Sequence, residues 1–122
     1  MNGYTTLGTN DLERASRFYD ALLATIGERR IYDEGGFIAW GSSMEQHALA
    51  ITKPFDGKPA TVGTGVMLAI QMPSKEAVDA FYARALELGA SDEGAPGPRA
   101  EGFYAGYFRD LDGNKLNAFT FS

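Results

Sequence analysis

The chain has 122 residues and no cysteine, so disulfides, thiolate zinc sites and thiol nucleophiles are excluded. With 16 acidic against 11 basic residues the net charge is −5, and no Lys/Arg cluster offers the basic face that nucleic acid needs; an anionic membrane surface is disfavoured for the same reason. No apolar stretch approaches the length of a membrane span, and a soluble cytoplasmic protein is expected.

The opening MNGYTTLGTNDLERA lacks a cationic start followed by an apolar run, so no secretory leader is expected. Tyr4, Thr5, Thr6 and Leu7 predict a short strand. Asn10 and Asp11 are both candidate helix caps, and Glu13 stands three residues after Asn10 as in a capping box. Leu12, Ala15, Tyr19, Leu22, Leu23 and Ile26 then recur at helical spacing, and Gly27 supplies a stop. Strands are predicted over 29–32, 37–40 and 48–52, punctuated by Glu34, Gly35, Gly36 and by Gly41, Ser42, Ser43. Residues 66–71 predict another strand. Ser74 is the next cap, and Val78, Phe81, Tyr82, Ala85 and Leu86 stripe a second helix ended by Gly89. The Gly/Pro-rich stretch 89–102 carries at most one weak strand. Strands over 103–109 and 115–121 flank a turn of Asp110, Leu111, Asp112 and Gly113.

The halves repeat. Phe18 and Tyr19 recur as Phe81 and Tyr82, 63 residues on; Gly36, Phe37, Ile38 and Ala39 recur as Gly102, Phe103, Tyr104 and Ala105, 66 residues on. The economical reading is one α+β domain of two tandem βαβββ modules: module one 1–54, a linker 55–63 within the Gly/Pro-rich stretch 53–64, and module two 64–122. One helix cannot cover both faces of a four-stranded sheet, so pairing of units is physically expected.

YTTLGTNDLERASRFYDALLATIG at the start and YAGYFRDLDGNKLNAF at the end resemble the first strand and helix, and the last hairpin, of the vicinal-oxygen-chelate (glyoxalase/bleomycin-resistance/extradiol dioxygenase) superfamily. KPFDGKPATVGTGVMLAI and LGASDEGAPGPR are similar to one bacterial branch of it. Leu111 stands where the family commonly has proline. The resemblance implies paired βαβββ modules forming a curved mixed sheet around a cleft. In metal-using members that cleft holds a divalent ion on histidine, glutamate or glutamine side chains, and the ion acts as a Lewis acid. Carried over by position, those ligands fall on Tyr4, Ile51, Met67 and Asn117. Such a set does not suit a hard or borderline cation, so neither metal nor cofactor is expected. The one histidine, His47, reads as a solvated loop residue, and Asp110 and Asp112 as turn formers.

Strand alternation, with the last hairpin folded so that Gly106 meets Asn117 and Tyr104 meets Phe119, lines the inter-module cleft with Tyr4, Thr6, Met67, Ala69, Asn117 and Phe119. Trp40 and Tyr104 read equally as cleft lining or as core, and for Phe119 core filling is the favoured of the two. Arg99 reads as a contact for an anionic ligand group or as a solvated surface residue. The expected site is therefore Tyr4, Thr6, Trp40, Met67, Arg99, Tyr104, Asn117 and Phe119, binding a small apolar or aromatic ligand. No catalytic residue stands out. Two rivals stay open: a glyoxalase/lactoylglutathione-lyase-like or dioxygenase-like enzyme, and a dimeric pseudo-enzyme serving as an interaction module. The resemblance also implies a homodimer.

Overall fold

In the computed structural model, which describes residues 2–43 and 45–122, the chain divides into two units, 1–62 and 63–122. The first holds β1 (Tyr4–Gly8), α1 (Leu12–Ala24), β2 (Arg29–Glu34), β3 (Phe37–Gly41) and β4 (Ala48–Thr52). The second holds β5 (Leu68–Gln71), α2 (Lys75–Glu87), β6 (Ser91–Ala100), β7 (Phe103–Arg109) and β8 (Lys115–Phe121). Both have the predicted βαβββ order. Their sheets run β1-β4-β3-β2 and β5-β8-β7-β6, and in each the first strand is parallel to the last. The class is α+β, as the sequence leads one to expect. Among the described residues no helix is long and apolar enough to cross a membrane.

Asp11 starts α1, its carboxylate accepting the Arg14 N–H at 3.0 Å. Asn10 bonds elsewhere. Its amide oxygen accepts the Ala60 N–H at 2.6 Å, and its amide nitrogen donates to the Ala60 carbonyl at 3.1 Å. That clip ties most of the expected linker to the first unit. The capping box of Asn10 and Glu13 does not form; Glu13 pairs instead with Arg17, one turn on, at 2.7 Å. Ser74 caps α2 by accepting the Ala77 N–H at 3.1 Å. The apolar stripes turn inward: Ala15, Phe18, Tyr19, Leu22 and Leu23 are buried on α1, and Val78, Phe81 and Ala85 on α2.

The main departure from the sequence reading is β6. Residues 91–100 form a strand paired with β7 despite Gly94, Pro96, Gly97 and Pro98. The register shifts at three places, which leave Glu93, Ala95, Pro96 and Arg99 outside the pairing while Gly94, Gly97 and Pro98 stay within it.

Trp40 centres the first core. It is 1% exposed, its ring lies 5.8 Å from that of Tyr19, and its indole N–H donates to Asp20 at 2.8 Å. Arg30 donates twice more to Asp20, at 2.8 and 2.7 Å, and this hydrogen bonding is the largest cause holding the Asp20 carboxyl below its ordinary value of 3.8.

Two outcomes follow for this core. Trp40→Ala is expected to cost about 3–5 kcal/mol, read as a lower urea midpoint, because it empties the largest buried volume of the module. Asp20→Asn keeps an acceptor for Trp40 but loses the charge, and should be less stable than wild type at neutral pH. A depressed folded pKa contributes stability that is full above 3.8 and is lost as pH falls through the folded value. The gap between the two proteins in urea titrations should therefore narrow below pH 3.8.

Candidate functional site

The turn between β7 and β8 decides which side chains share a face. Arg109 pairs with Lys115, so the turn comprises residues 110–114. The Asp110 carboxylate accepts the N–H groups of Asp112 and Asn114 at 2.9 Å each and the Asn114 side-chain amide at 3.1 Å. Asn114 is thereby drawn into the turn, making it one residue longer than the sequence alone suggests. Pairing moves by one, to Tyr107 with Asn117 and Ala105 with Phe119.

Consequently Tyr104, Gly106 and Phe108 face α2. Phe108 meets Phe81 at 6.1 Å, and the Tyr104 hydroxyl donates to Asp79 of α2 at 2.7 Å. That bond is the largest cause raising the Tyr104 pKa, so the group stays a neutral phenol in ordinary buffers. Tyr104 is thus no lining residue of the opposite face. Trp40 is likewise corrected: it lies on the α1 side, paired with Leu49 and bonded to Asp20.

The face opposite α2 carries Phe103, Ala105, Tyr107, Lys115, Asn117 and Phe119. Phe103 and Phe119 stack at 5.5 Å with planes 25° apart. Ala69 pairs with Asn117 from the other side. Asn117 is 1% exposed, and its side-chain oxygen is buried without a hydrogen-bond partner. Leaving such an acceptor unpaired costs about 1–3 kcal/mol. Met67 precedes β5 and is exposed. Arg99 lies with its guanidinium 5.3 Å from the Tyr107 ring centre.

In the first unit the face opposite α1 carries Tyr4, Thr6, Tyr32, Phe37, Ala39 and Ala50. Tyr4 meets Phe37 edge-on at 5.9 Å, and Tyr32 meets it at 5.7 Å. With Ala39 these rings line a recess of about 280 Å³. Thr6 is exposed on the same face.

Sequence reasoning missed Tyr32, Phe37, Phe103, Tyr107 and Lys115. For the first pair the signal was present. Gly35 and Gly36, with φ of 63° and 83°, make a two-residue turn that pairs Glu34 with Phe37 and puts Tyr32 on the same face.

One of the four ligand positions implied by resemblance also shifts by one residue. Ile51 pairs with Leu7 and Ile38 and is buried on the α1 side. Ala50 pairs with Thr6 as Asn117 pairs with Ala69, and so takes that place. Tyr4, Ala50, Met67 and Asn117 supply no carboxylate, imidazole or thiolate, and do not fit a divalent ion. Among the described residues no group of three or more His, Cys, Asp and Glu side chains is placed to hold one. His47 is exposed and its Nε2 lies 2.7 Å from the Thr5 hydroxyl.

The family model for the Glyoxalase/Bleomycin resistance protein/Dioxygenase superfamily matches residues 3–118. The chain belongs to this superfamily. It is similar to a glyoxalase/bleomycin resistance protein from Albidiferax ferrireducens, with 36% identity over 98% of each chain and a TM-score of 0.90. A superfamily enzyme from Burkholderia phytofirmans shares the fold at 19% identity, with 98% of each chain covered and a TM-score of 0.80. A fosfomycin resistance protein from Mesorhizobium loti shares it at 20% identity, over 100% of this chain and 92% of that one, with a TM-score of 0.70. Among curated proteins no significant match was found.

Asn117→Leu keeps the branching and the number of side-chain heavy atoms and removes the unpaired oxygen from the superfamily's ligand position. It is expected to raise stability by about 1 kcal/mol, measured as a higher urea midpoint at unchanged slope. A fall in the midpoint would mean that the oxygen is satisfied in solution.

Proposed function

We propose that this superfamily member binds a small apolar or aromatic molecule on the sheet faces opposite its helices, and does so without a metal ion. One observation carries the reading. Of the positions at which the family resemblance places metal ligands, three hold Tyr4, Met67 and Asn117, the observed register puts Ala50 in place of the fourth, Ile51, and the same faces are furnished with aromatic rings. An ion placed there would give up hydration for one amide oxygen and one phenol. Rings and aliphatic side chains instead suit enclosure of a flat, weakly polar molecule, with few polar groups to orient it.

The lyase and dioxygenase readings need an electrophile or a base. Tyr104 is engaged by Asp79, and His47 is engaged by Thr5. On the face opposite α1 the Glu34 carboxylate is engaged by the Tyr32 hydroxyl at 3.2 Å.

The test has two arms. Elemental analysis of the purified protein should find no stoichiometric divalent ion, and nickel, zinc, iron or manganese should not raise its Tm. Indole should raise it, since a ligand at about 100 times its Kd adds about 2.7 kcal/mol. The rise should shrink in Phe119→Ala or Tyr4→Ala. A tightly held ion, or a Tm indifferent to every aromatic compound tried, would overturn the reading.

A further inference from the structure

The face opposite α2 contains more than apolar surface. Arg99 reaches back along β6 and lays its guanidinium on the Tyr107 ring at 5.3 Å, and the Lys115 ammonium stands 5.5 Å from the same ring. The strand is shaped to admit Arg99. A Cβ at Gly94 would lie 3.2 Å from its Nη2, and one at Gly97 would lie 3.0 Å from its Nη1. Either Cβ would crowd the guanidinium where it now lies.

The guanidinium donates to the carbonyls of Ala95 and Pro98, which leaves further N–H groups of the fork unused. Among the described residues neither Arg99 nor Lys115 has a carboxylate partner. Both acids of β6 are engaged elsewhere: Glu93 by Arg109 at 3.1 Å, and Asp92 by the Tyr82 hydroxyl at 2.7 Å and the Gly94 N–H at 2.8 Å. A chain with a net charge of −5 thus holds two uncompensated cations on one ring.

Tyr107 is also the direct cross-strand partner of Asn117, which places the two side chains about 4.5–5.5 Å apart at Cβ. So the residue whose ring carries the two cations stands next to a buried acceptor that has no donor. Neither Tyr107 nor Phe119, which flank Asn117 on this face, is fully buried, and Ala69 across from it is small and exposed. A ligand that meets this oxygen must therefore displace the rings that flank it.

We infer that the ligand of this face is a small aromatic acid bearing a hydroxyl or amine donor. Its ring lies against Phe103 and Phe119, its donor meets Asn117 Oδ1, and its carboxylate meets Arg99 and Lys115. This rests on the binding reading proposed above and narrows it from apolar compounds in general to anionic ones with a donor. A guanidinium presents paired N–H groups that match a carboxylate, and charge-assisted bonds of this kind are the stronger sort.

Calorimetric titration of the full chain with para-hydroxybenzoate, benzoate, phenol and the methyl ester of para-hydroxybenzoate tests it. Para-hydroxybenzoate should bind tightest of the four. Arg99→Ala, at an exposed position that leaves the fold intact, should weaken it by about tenfold or more while leaving phenol unchanged. Lys115→Ala should weaken it in the same sense. Asn117→Leu should lower para-hydroxybenzoate to the level of benzoate. Equal binding of phenol, ester and acid by the wild type would overturn the anionic class and leave the aromatic-binding reading standing. Absence of binding by all four would remove both.

Discussion

The Asp110 carboxylate sets the outward surface of the second module. A buried carboxylate must be hydrogen-bonded, and Asp110, 6% exposed, meets that need by gathering the backbone of Asp112 and both the backbone and side chain of Asn114. The backbone closes over it, Asp110 N–H to Asn114 carbonyl at 2.9 Å. Arg109 then reinforces the turn by donating to the Gly113 carbonyl at 2.9 Å. Because side chains alternate along a strand, this turn length sends Asn117 and Phe119 to one side and Leu116 and Phe108 beneath α2. A turn one residue shorter would exchange the two sets.

Both modules secure their helix by the same arrangement, an aromatic ring beneath it and carboxylates at its flank. In the first, Trp40 lies under Tyr19, and Asp20 joins the indole to Arg30. In the second, Phe108 lies under Phe81, with Tyr82 bonded to Asp92 and Tyr104 to Asp79. Burial, seconded by the Asp92 bond, pushes the Tyr82 hydroxyl up to about 12, and the same bond leads in holding the Asp92 carboxyl low. These groups are thereby committed to joining α2 to its sheet. The chemistry left over lies on the opposite face, where Asn117, Arg99 and Lys115 have no such duty.

Much of this is readable in the sequence. Helical spacing and caps place both helices, and β-branched and aromatic runs place most strands, with β4, β7 and β8 at their observed bounds. The features that escape it depend on one side chain's choice of partner. Asn10 could have capped α1, but a bond to Ala60 competed and won. The hairpin register turns on whether Asn114 joins the turn. The internal repeat also misleads at close range. Phe37, Ile38 and Ala39 look equivalent to Phe103, Tyr104 and Ala105, yet Ala39 pairs with Ala50 as Tyr107 pairs with Asn117. On that register the counterpart of Trp40 is Phe108, and both lie under their helices. Glycine and proline hide β6, since bulges have no signature in composition.

That strand has a consequence for how the molecule behaves among copies of itself. β6 forms the outer border of its sheet, where a bare row of amide and carbonyl groups would invite a foreign strand. Pro96 and Pro98 have no amide hydrogen to offer, and the shifts in register break the remaining row into short pieces. A neighbouring chain finds no continuous ladder there on which to build. The residues that make the strand hard to recognise are the ones that guard its border against runaway stacking.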